Sequence, residues 1–377
     1  MDDGGMGLPS GKSLHARRGH GPYRADDPRE AAHGRDDWQR GLCACLIALL
    51  LLLPRAAGAE VLRFAVWDAG LSRKGPGLLL RDILRGEDPQ ILAVRQVIEA
   101  LDADVLLLLD VDYDAGHLAV RALVGDLYPH LFALRPNTGL QTGLDLDGDG
   151  RRGGAGDAQG WGRFSGQGGM ALLSRLPLGD ARDFSDVLWR DLPAANLPPM
   201  APEARAVQRL STTGHWDVSV RLPDGPDLRL LLWSATPPIF DGPEDRNGRR
   251  GGDEALFWLH LLEGRLPHAP PQGPVLLMGK ANIDPSAGDG AQGAIRALLA
   301  YPGLRDPAPA GPDGSLATAD FRAANGPGLL RTDYILSDRG LRVLRSGVLW
   351  PPPEDPLAHV VARASRHRPV WVELEPP

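Results

Sequence analysis

The chain has 377 residues, enough for one large domain or two ordinary ones. Charged residues make up 24% and hydrophobic ones 43%, the balance of a globular protein, while 47 glycines and 35 prolines imply many turns and long loops. A net charge of −7 does not suggest a general nucleic-acid-binding surface and leaves local basic clusters for that purpose.

The first 40 residues are polar, of mixed charge and without periodicity, and they read as a disordered extension. An apolar run from Leu42 to Pro54 follows Arg40 and closes on Ala57-Gly58-Ala59, a small-x-small site. Residues 41–59 therefore read as a secretory signal or an uncleaved anchor, too short for a comfortable transmembrane helix. The expectation is an exported protein, periplasmic or extracellular, that meets a membrane only through this segment. Both cysteines, Cys43 and Cys45, lie in the run, so cleavage leaves neither a disulfide framework nor a cysteine-based zinc site.

Residues 60–377 read as a single domain. Val61–Trp67 is a buried strand with Asp68 at its exit, and Gly70 to Leu80 is a loop. Asp88-Pro89 starts a helix, Asp as N-cap and Pro at the first position, with Ile91, Val94, Val97, Ile98 and Leu101 on one face. Asp104–Leu109 is a second buried strand ending at Asp110, and a helix carrying Leu118, Ala119, Ala122 and Leu123 follows. A long irregular stretch runs from Arg135 to Gly169. Met170–Ser174 is strand, Leu192–Pro202 a surface loop, and Gln208–Thr212, Trp216–Leu222 and Leu228–Trp233 are strand-like. A second long loop covers Ser234–Gly252, and Asp253 opens an amphipathic helix with Leu256, Phe257, Leu259 and Leu262. Val275–Met278 is a buried strand ended by Gly279, after which Lys280, Asn282 and Asp284 follow on a loop. A helix over Ala291–Ala300 and strands at Leu329–Leu336, Leu341–Leu349 and Pro369–Leu374 complete the chain. The alternation implies a strand-rich α+β sandwich without a linker or a solenoid repeat.

Polar residues at the exits of buried strands are where α/β and α+β enzymes place chemistry, although a single one is usually a turn residue. Here they form a series: Asp68, Asp110, Ser234-Ala235, Gly279-Lys280-Ala281-Asn282, and Ser365-Arg366-His367 before the last strand. Together with Arg331-Thr332-Asp333-Tyr334-Ile335, their order resembles the motif series of the endonuclease/exonuclease/phosphatase superfamily over nearly all of residues 60–377. The resemblance implies a four-layer α/β/β/α sandwich of the DNase I-like type. It also implies metal-dependent phosphoester hydrolysis with Mg²⁺ or Mn²⁺, acting on a phosphoester-containing substrate as a nuclease, phosphodiesterase or phosphatase. In that family a Glu holds the metal, the Asp of "GDxN" activates water, His and Asn residues bind phosphate, and the Asp of "SDH" orients the last His. Such chemistry needs a cation on the phosphate oxygens, a base for water and donors for the transition state.

Against that pattern five positions differ: Asp68 stands for Asn, Asp110 for Glu, Ala235 for His, Lys280 for Asp and Arg366 for Asp. Asn282 and His367 remain as the family has them and are the candidate catalytic residues, with Asp110 the candidate metal ligand. Exchanging two carboxylates for two cations changes the local charge by about four units. A like-charge contact near 4 Å costs about 4 kcal/mol at an effective dielectric near 20, which opposes a divalent ion. Two readings stay open. Either Asp68 and Asp110 pair with Lys280 and Arg366 in place of the metal and the site is a plugged remnant, or the two cations make the pocket an anion-binding site with altered chemistry. Accordingly the chain is either an impaired hydrolase that uses Asp110, Asn282 and His367 with a relocated metal, or a non-catalytic anion- or partner-binding protein that needs no cofactor.

Three further groups stand out. Asp145, Asp147 and Asp149 with Gly150 match the start of a calcium loop, but position twelve is Gly156 instead of Glu, which leaves either a weak cation site or an acidic surface loop. The stretch Asp241–Arg250, similar to "FDGPEDRNGRR" segments in a secreted-type branch of the superfamily, offers Arg249 and Arg250 to an anion at the pocket rim, or is a solvated loop. His215 on a strand, with no Ser or Cys nucleophile motif in view, reads as structural.

Overall fold

A computed structural model describes residues 61–223, 225–323 and 326–376. The expectations for the polar extension, the signal or anchor and the two cysteines fall outside the described residues. None of the described helices is long and apolar enough to cross a membrane.

Two six-stranded sheets pack face to face. The first is built from β1 (Leu62–Asp68), β2 (Val105–Val111), β3 (His130–Phe132), β4 (Gly169–Ser174), β13 (Arg342–Val348) and β14 (Val370–Glu375), in the order β13-β14-β1-β2-β4-β3. The second contains β5 (Leu178–Asp183), β6 (His215–Val220), β7 (Leu228–Ser234), β8 (Val275–Lys280), β9 (Leu304–Arg305) and β12 (Asp333–Asp338), in the order β5-β6-β7-β8-β12-β9. A small hairpin pairs β10 (Ala319–Phe321) with β11 (Gly328–Leu330). Helices α1 (Leu78–Arg85), α2 (Pro89–Leu101), α3 (Leu118–Val124) and α7 (Pro356–Ala364) cover the first sheet, and α5 (Arg246–Leu262) and α6 (Gln292–Leu299) cover the second; α4 (Pro202–Val207) lies in a connection.

The period of two along each strand sorts side chains into three cores. Phe64 and Val66 of β1, with Leu107 of β2, face Val218, Leu230 and Met278 of the second sheet. Ala65 and Trp67 face Ile91, Val94 and Ile98 of α2. On the other side, Leu231, Trp233 and Leu277 meet Phe257, Trp258 and Leu261 of α5. Strands buried on both faces read as unbroken apolar runs, which is why Val105–Leu109 shows no alternation. The four-layer α+β sandwich expected from the sequence is the fold observed.

Each sheet carries one parallel crossover, β1-α1-α2-β2 in the first and β7-α5-β8 in the second. Parallel neighbours send their C-terminal ends the same way, so Asp68 and Asp110 leave one sheet side by side, and Ser234 and Lys280 leave the other. The two pairs of ends meet across the sandwich, since Lys280 bonds to Asp68.

Several elements differ from the sequence reading. The α5 helix starts at Arg246, about two turns before Asp253. Its Gly248, Gly251 and Gly252 gave that segment the composition of a loop. They are needed for close packing: a Cβ on Gly251 would sit 2.8 Å from the Thr236 carbonyl oxygen, and one on Gly252 2.7 Å from the Ala291 methyl. Gln208–Thr212 is not a strand and makes a single bridge, Arg209 to Leu188. Leu329–Leu336 divides into β11 and β12 at Arg331-Thr332. The helix α1 begins inside the expected loop Gly70–Leu80, and α7 follows a run of three prolines with Asp355 as its N-cap.

Candidate functional site

Lys280 ends β8 and Asp68 ends β1, and the Lys280 Nζ donates to Asp68 Oδ2. Both side chains are buried, 13% and 6% exposed. Asp68 Oδ1 accepts from the Gly70 amide at 3.0 Å. Burial works against the Asp68 charge, but Lys280 and then His367 outweigh it and hold the carboxyl at about 2. Burial likewise disfavours the Lys280 ammonium, and Asp68 and Asp110 more than restore it, so its pKa rises. Local packing brings the two strands close just before this lysine: Gly279 must lack a side chain because a Cβ would lie 2.3 Å from the Trp233 ring, and Lys280 is the last residue of β8.

Asp110 occupies an irregularity of the β2–β4 ladder, where Leu109 faces Met170 and Val111 faces Gly169. Its φ of 53° lies in the left-handed region, tolerated by Asp better than by most residues. Such bulges re-aim a side chain, here toward Gly168, where a Cβ would stand 2.8 Å from Asp110 Oδ1. The carboxylate accepts no hydrogen bond among the described residues. Burial and then the neighbouring Asp68 charge push its pKa up to about 7.

His367 Nε2 lies 4.0 Å from Asp68 Oδ2, while its Nδ1 is 2.9 Å from Asp333 Oδ2. The first residue of β12, Asp333, stands opposite Lys280 in the ladder. Its Oδ2 also accepts from the hydroxyls of Thr318 and Thr332, each at 2.8 Å, and its buried Oδ1 has no partner among the described residues. Burial opposes a charged His367, but Asp333 and Asp68 raise its pKa overall. The ring is held from behind as well: the His367 amide donates to Ser365 Oγ at 3.0 Å, and its carbonyl accepts from the Trp67 indole at 3.1 Å. Asn282, with φ of 56°, donates from Nδ2 to the Ala235 carbonyl at 2.6 Å and so ties the exits of β7 and β8 together.

The structure thus brings Asp68, Asp110, Lys280, Asn282, Ala235 and His367 into one cluster. Four expectations need correction. Arg366 is exposed and forms no ion pair with Asp68 or Asp110, because its neighbours Ser365 and His367 point inward and the strand-like alternation turns it out. The residue that orients His367 is Asp333, so the exchange at Arg366 leaves that contact intact. Arg250 is buried, and its guanidinium donates to the carbonyls of Leu210, Arg209 and Ser211 rather than facing an anion. Arg249 is half-buried and bound to the Glu244 carbonyl and to Asn196 Oδ1, both at 2.9 Å. Behind Arg250, Glu254 accepts the amides of Thr212 and Thr236 at 2.6 Å, which makes this stretch a strap for two loops. His215 is fully buried between Ser211 and the Glu254 carbonyl, and burial lowers its pKa to about 4.

Asp145, Asp147 and Asp149 are exposed and place one oxygen each within 4.8 Å of the others. They accept amides of their own loop, Gly148 and Gly150 on Asp145, Asp149 on Asp147 and Arg151 on Asp149. No hydrogen bond among the described residues joins them to the strand-exit cluster. Sequence reasoning missed two members of the site's surroundings. Asp333 was visible within Arg331–Ile335 but read as strand. Asp112, 5% exposed, accepts the amides of Arg73 at 2.9 Å and Gly168 at 3.0 Å and builds the wall beside Asp110.

A family model described as "Endonuclease/Exonuclease/phosphatase family" matches residues 81–367. The chain belongs to this family. Among solved structures, an endonuclease/exonuclease/phosphatase from Beutenbergia cavernae DSM 12333 is similar, with 18% identity over 84% of this chain and 72% of that one, at a TM-score of 0.52. Sphingomyelinase C from Streptomyces griseocarneus is similar at 15% identity over 83% and 99% of the two chains, with a TM-score of 0.49. No curated protein matches the sequence.

The family generally depends on a divalent metal, so the fit of these residues to one can be judged directly. A divalent ion needs converging anionic oxygens with capacity to spare. Asp68 already holds an ammonium, and that ammonium, Lys280, stands between the strand exits where an ion would have to sit. An ion about 4 Å from that ammonium would meet about 4 kcal/mol of repulsion per unit of charge at a dielectric near 20. The residues present do not fit a divalent metal at this position.

Proposed function

We propose that this chain is a family member in which metal-dependent phosphoester hydrolysis is impaired, with an internal cation in place of the metal. The observation that carries the reading is the buried Lys280–Asp68 ion pair at the convergence of the two sheets. Lys280 neutralises the acid beside it but is held in place and has no vacant coordination position for water. Nor can a protonated amine act as the base that a carboxylate would supply. Export, read from the run at Leu42–Pro54, belongs to the same proposal and predicts the protein in the periplasmic or secreted fraction.

The test is calorimetric titration with Mn²⁺ alongside hydrolysis of bis(p-nitrophenyl) phosphate with and without metal. The wild type is expected to show no stoichiometric Mn²⁺ binding and no turnover above background. The variant Lys280→Asp is expected to gain Mn²⁺ binding, with or without Arg366→Asp, since Arg366 is turned out of the cluster. Tight stoichiometric binding by the wild type, or turnover that Asp110→Ala abolishes, would overturn the proposal.

A second reading is favoured by one observation, the intact His367–Asp333 pair beside Lys280. The N–H groups of Lys280, His367 and Asn282 suit a non-catalytic pocket that binds an anion or an anionic partner. Inorganic phosphate binding that is lost in His367→Ala, without turnover, would support it.

A further inference from the structure

Away from the strand exits, a cleft of about 460 Å³ opens between the β10–β11 hairpin, the triple-proline run and α7. Its walls are mainly apolar, including Trp350, Pro351, Pro352 and Leu329, and Arg368 forms part of the lining. That volume and character suit a small-molecule site, which is usually apolar with a few placed polar groups.

Arg368 is the anomaly. It is only 5% exposed, yet it forms no ion pair with an acid among the described residues. Its Nη1 donates to the Ser365 and His367 carbonyls, its guanidinium lies over the Trp350 ring at 4.7 Å, and its buried Nε has no partner. Asp320, whose charge favours the Arg368 guanidinium, is engaged by Arg322 through two hydrogen bonds at 3.0 and 2.6 Å. Burial accordingly lowers the Arg368 pKa despite the attraction of Asp320. A buried guanidinium is normally matched by a carboxylate or a full set of acceptors.

We propose that this cleft binds a small organic carboxylate with an apolar body, its carboxylate on Arg368 and its body against Trp350 and the prolines. A carboxylate matches the guanidinium fork. One negative charge suffices: Asp320 in the lining is already paired with Arg322, and Asp313, which also lines the cleft, disfavours a second negative charge. The site is independent of the metal question, because none of the strand-exit residues lines it.

The experiment is calorimetric titration of the full chain with 3-phenylpropionate, its neutral amide 3-phenylpropanamide, and inorganic phosphate. The carboxylate is expected to bind one to one, and the amide and phosphate at least about tenfold more weakly. Arg368→Gln should weaken carboxylate binding by about tenfold or more. Because Arg368 is buried, Leu329→Glu serves as a second variant: Leu329 is 39% exposed and belongs to none of the three cores, so the fold should be kept, which circular dichroism checks, while the added charge should abolish binding. The proposal is overturned by no carboxylate binding, by equal binding of the amide, by tighter binding of phosphate, or by unchanged binding in Leu329→Glu.

Discussion

Replacing Lys280 with Met removes the ammonium and keeps most of the side-chain volume. Asp68 then remains in a pocket where it is 5% exposed, with one backbone amide at 3.0 Å and a histidine at 4.0 Å as its remaining partners. In the wild type its carboxyl is held at about 2 against an ordinary 3.8, which at about 1.4 kcal/mol for each pH unit corresponds to roughly 2–3 kcal/mol of stability. This contribution is present above pH 3.8 and is lost as the pH falls through about 2. It is a net value that already includes the opposing effect of burial, so removing Lys280 should cost more, about 3–5 kcal/mol at neutral pH. The sign of the pH dependence should also reverse. With its partner gone, the folded-state pKa of Asp68 moves above 3.8, so stability is regained as the pH falls from neutrality toward 4. Urea unfolding followed by circular dichroism at pH 7.5 and pH 5 measures both effects. The variant should show the larger loss at the higher pH. An equal loss at both pH values, or one below about 1 kcal/mol, would mean that the pair is solvated and would refute the argument.

Three other variants probe the same framework. Asp110, raised from 3.8 to about 7, keeps in the folded state a proton that the unfolded chain gives up, so wild-type stability should decline between about pH 4 and pH 7 and level off above; Asp110→Asn should flatten that decline, which urea midpoints will show. Its magnitude should be about 1–2 kcal/mol, below what the displacement alone implies, because the carboxyl keeps some contact with water. Asp333→Asn removes the charge that stabilises protonated His367. The imidazole titration followed by NMR should move to lower pH, and the stability that His367 contributes below pH 6.5 should shrink; an unmoved titration would dismiss Asp333 as the orienting group. Phe240 is 88% exposed with φ of 70°, so Phe240→Gly relieves a left-handed backbone without losing packing and should stabilise the fold by about 0.5–1 kcal/mol in urea unfolding.

Much of this architecture was legible because apolar runs such as Val105–Leu109 can only be buried strands, and because the residue after such a run sits at a sheet edge. That logic reached Asp68, Asp110 and Lys280 before any coordinate. It failed where partners are distant in sequence. Nothing local to Arg331–Ile335 says that Asp333 meets a histidine 34 positions later. Nor does the glycine-rich Arg246–Gly252 announce a helix, since its glycines answer to Thr236 and Ala291 on other elements. Arg250 shows the converse error: an arginine in a polar, turn-like stretch looked available, and tertiary packing had already supplied its acceptors.

The place of β14 in the first sheet bears on the order in which the chain can fold as it is made. Phe64 of β1 waits for Val372 of β14, about 300 residues later, before its second edge is paired. At about 5–20 residues per second of synthesis, that edge stays open for about 15–60 s. The segment is apolar and β-prone throughout that interval, the kind of exposed edge that invites pairing with another chain. A nascent chain of this protein should therefore need shielding by a chaperone, or passage in unfolded form, until the last strand emerges and closes the sheet.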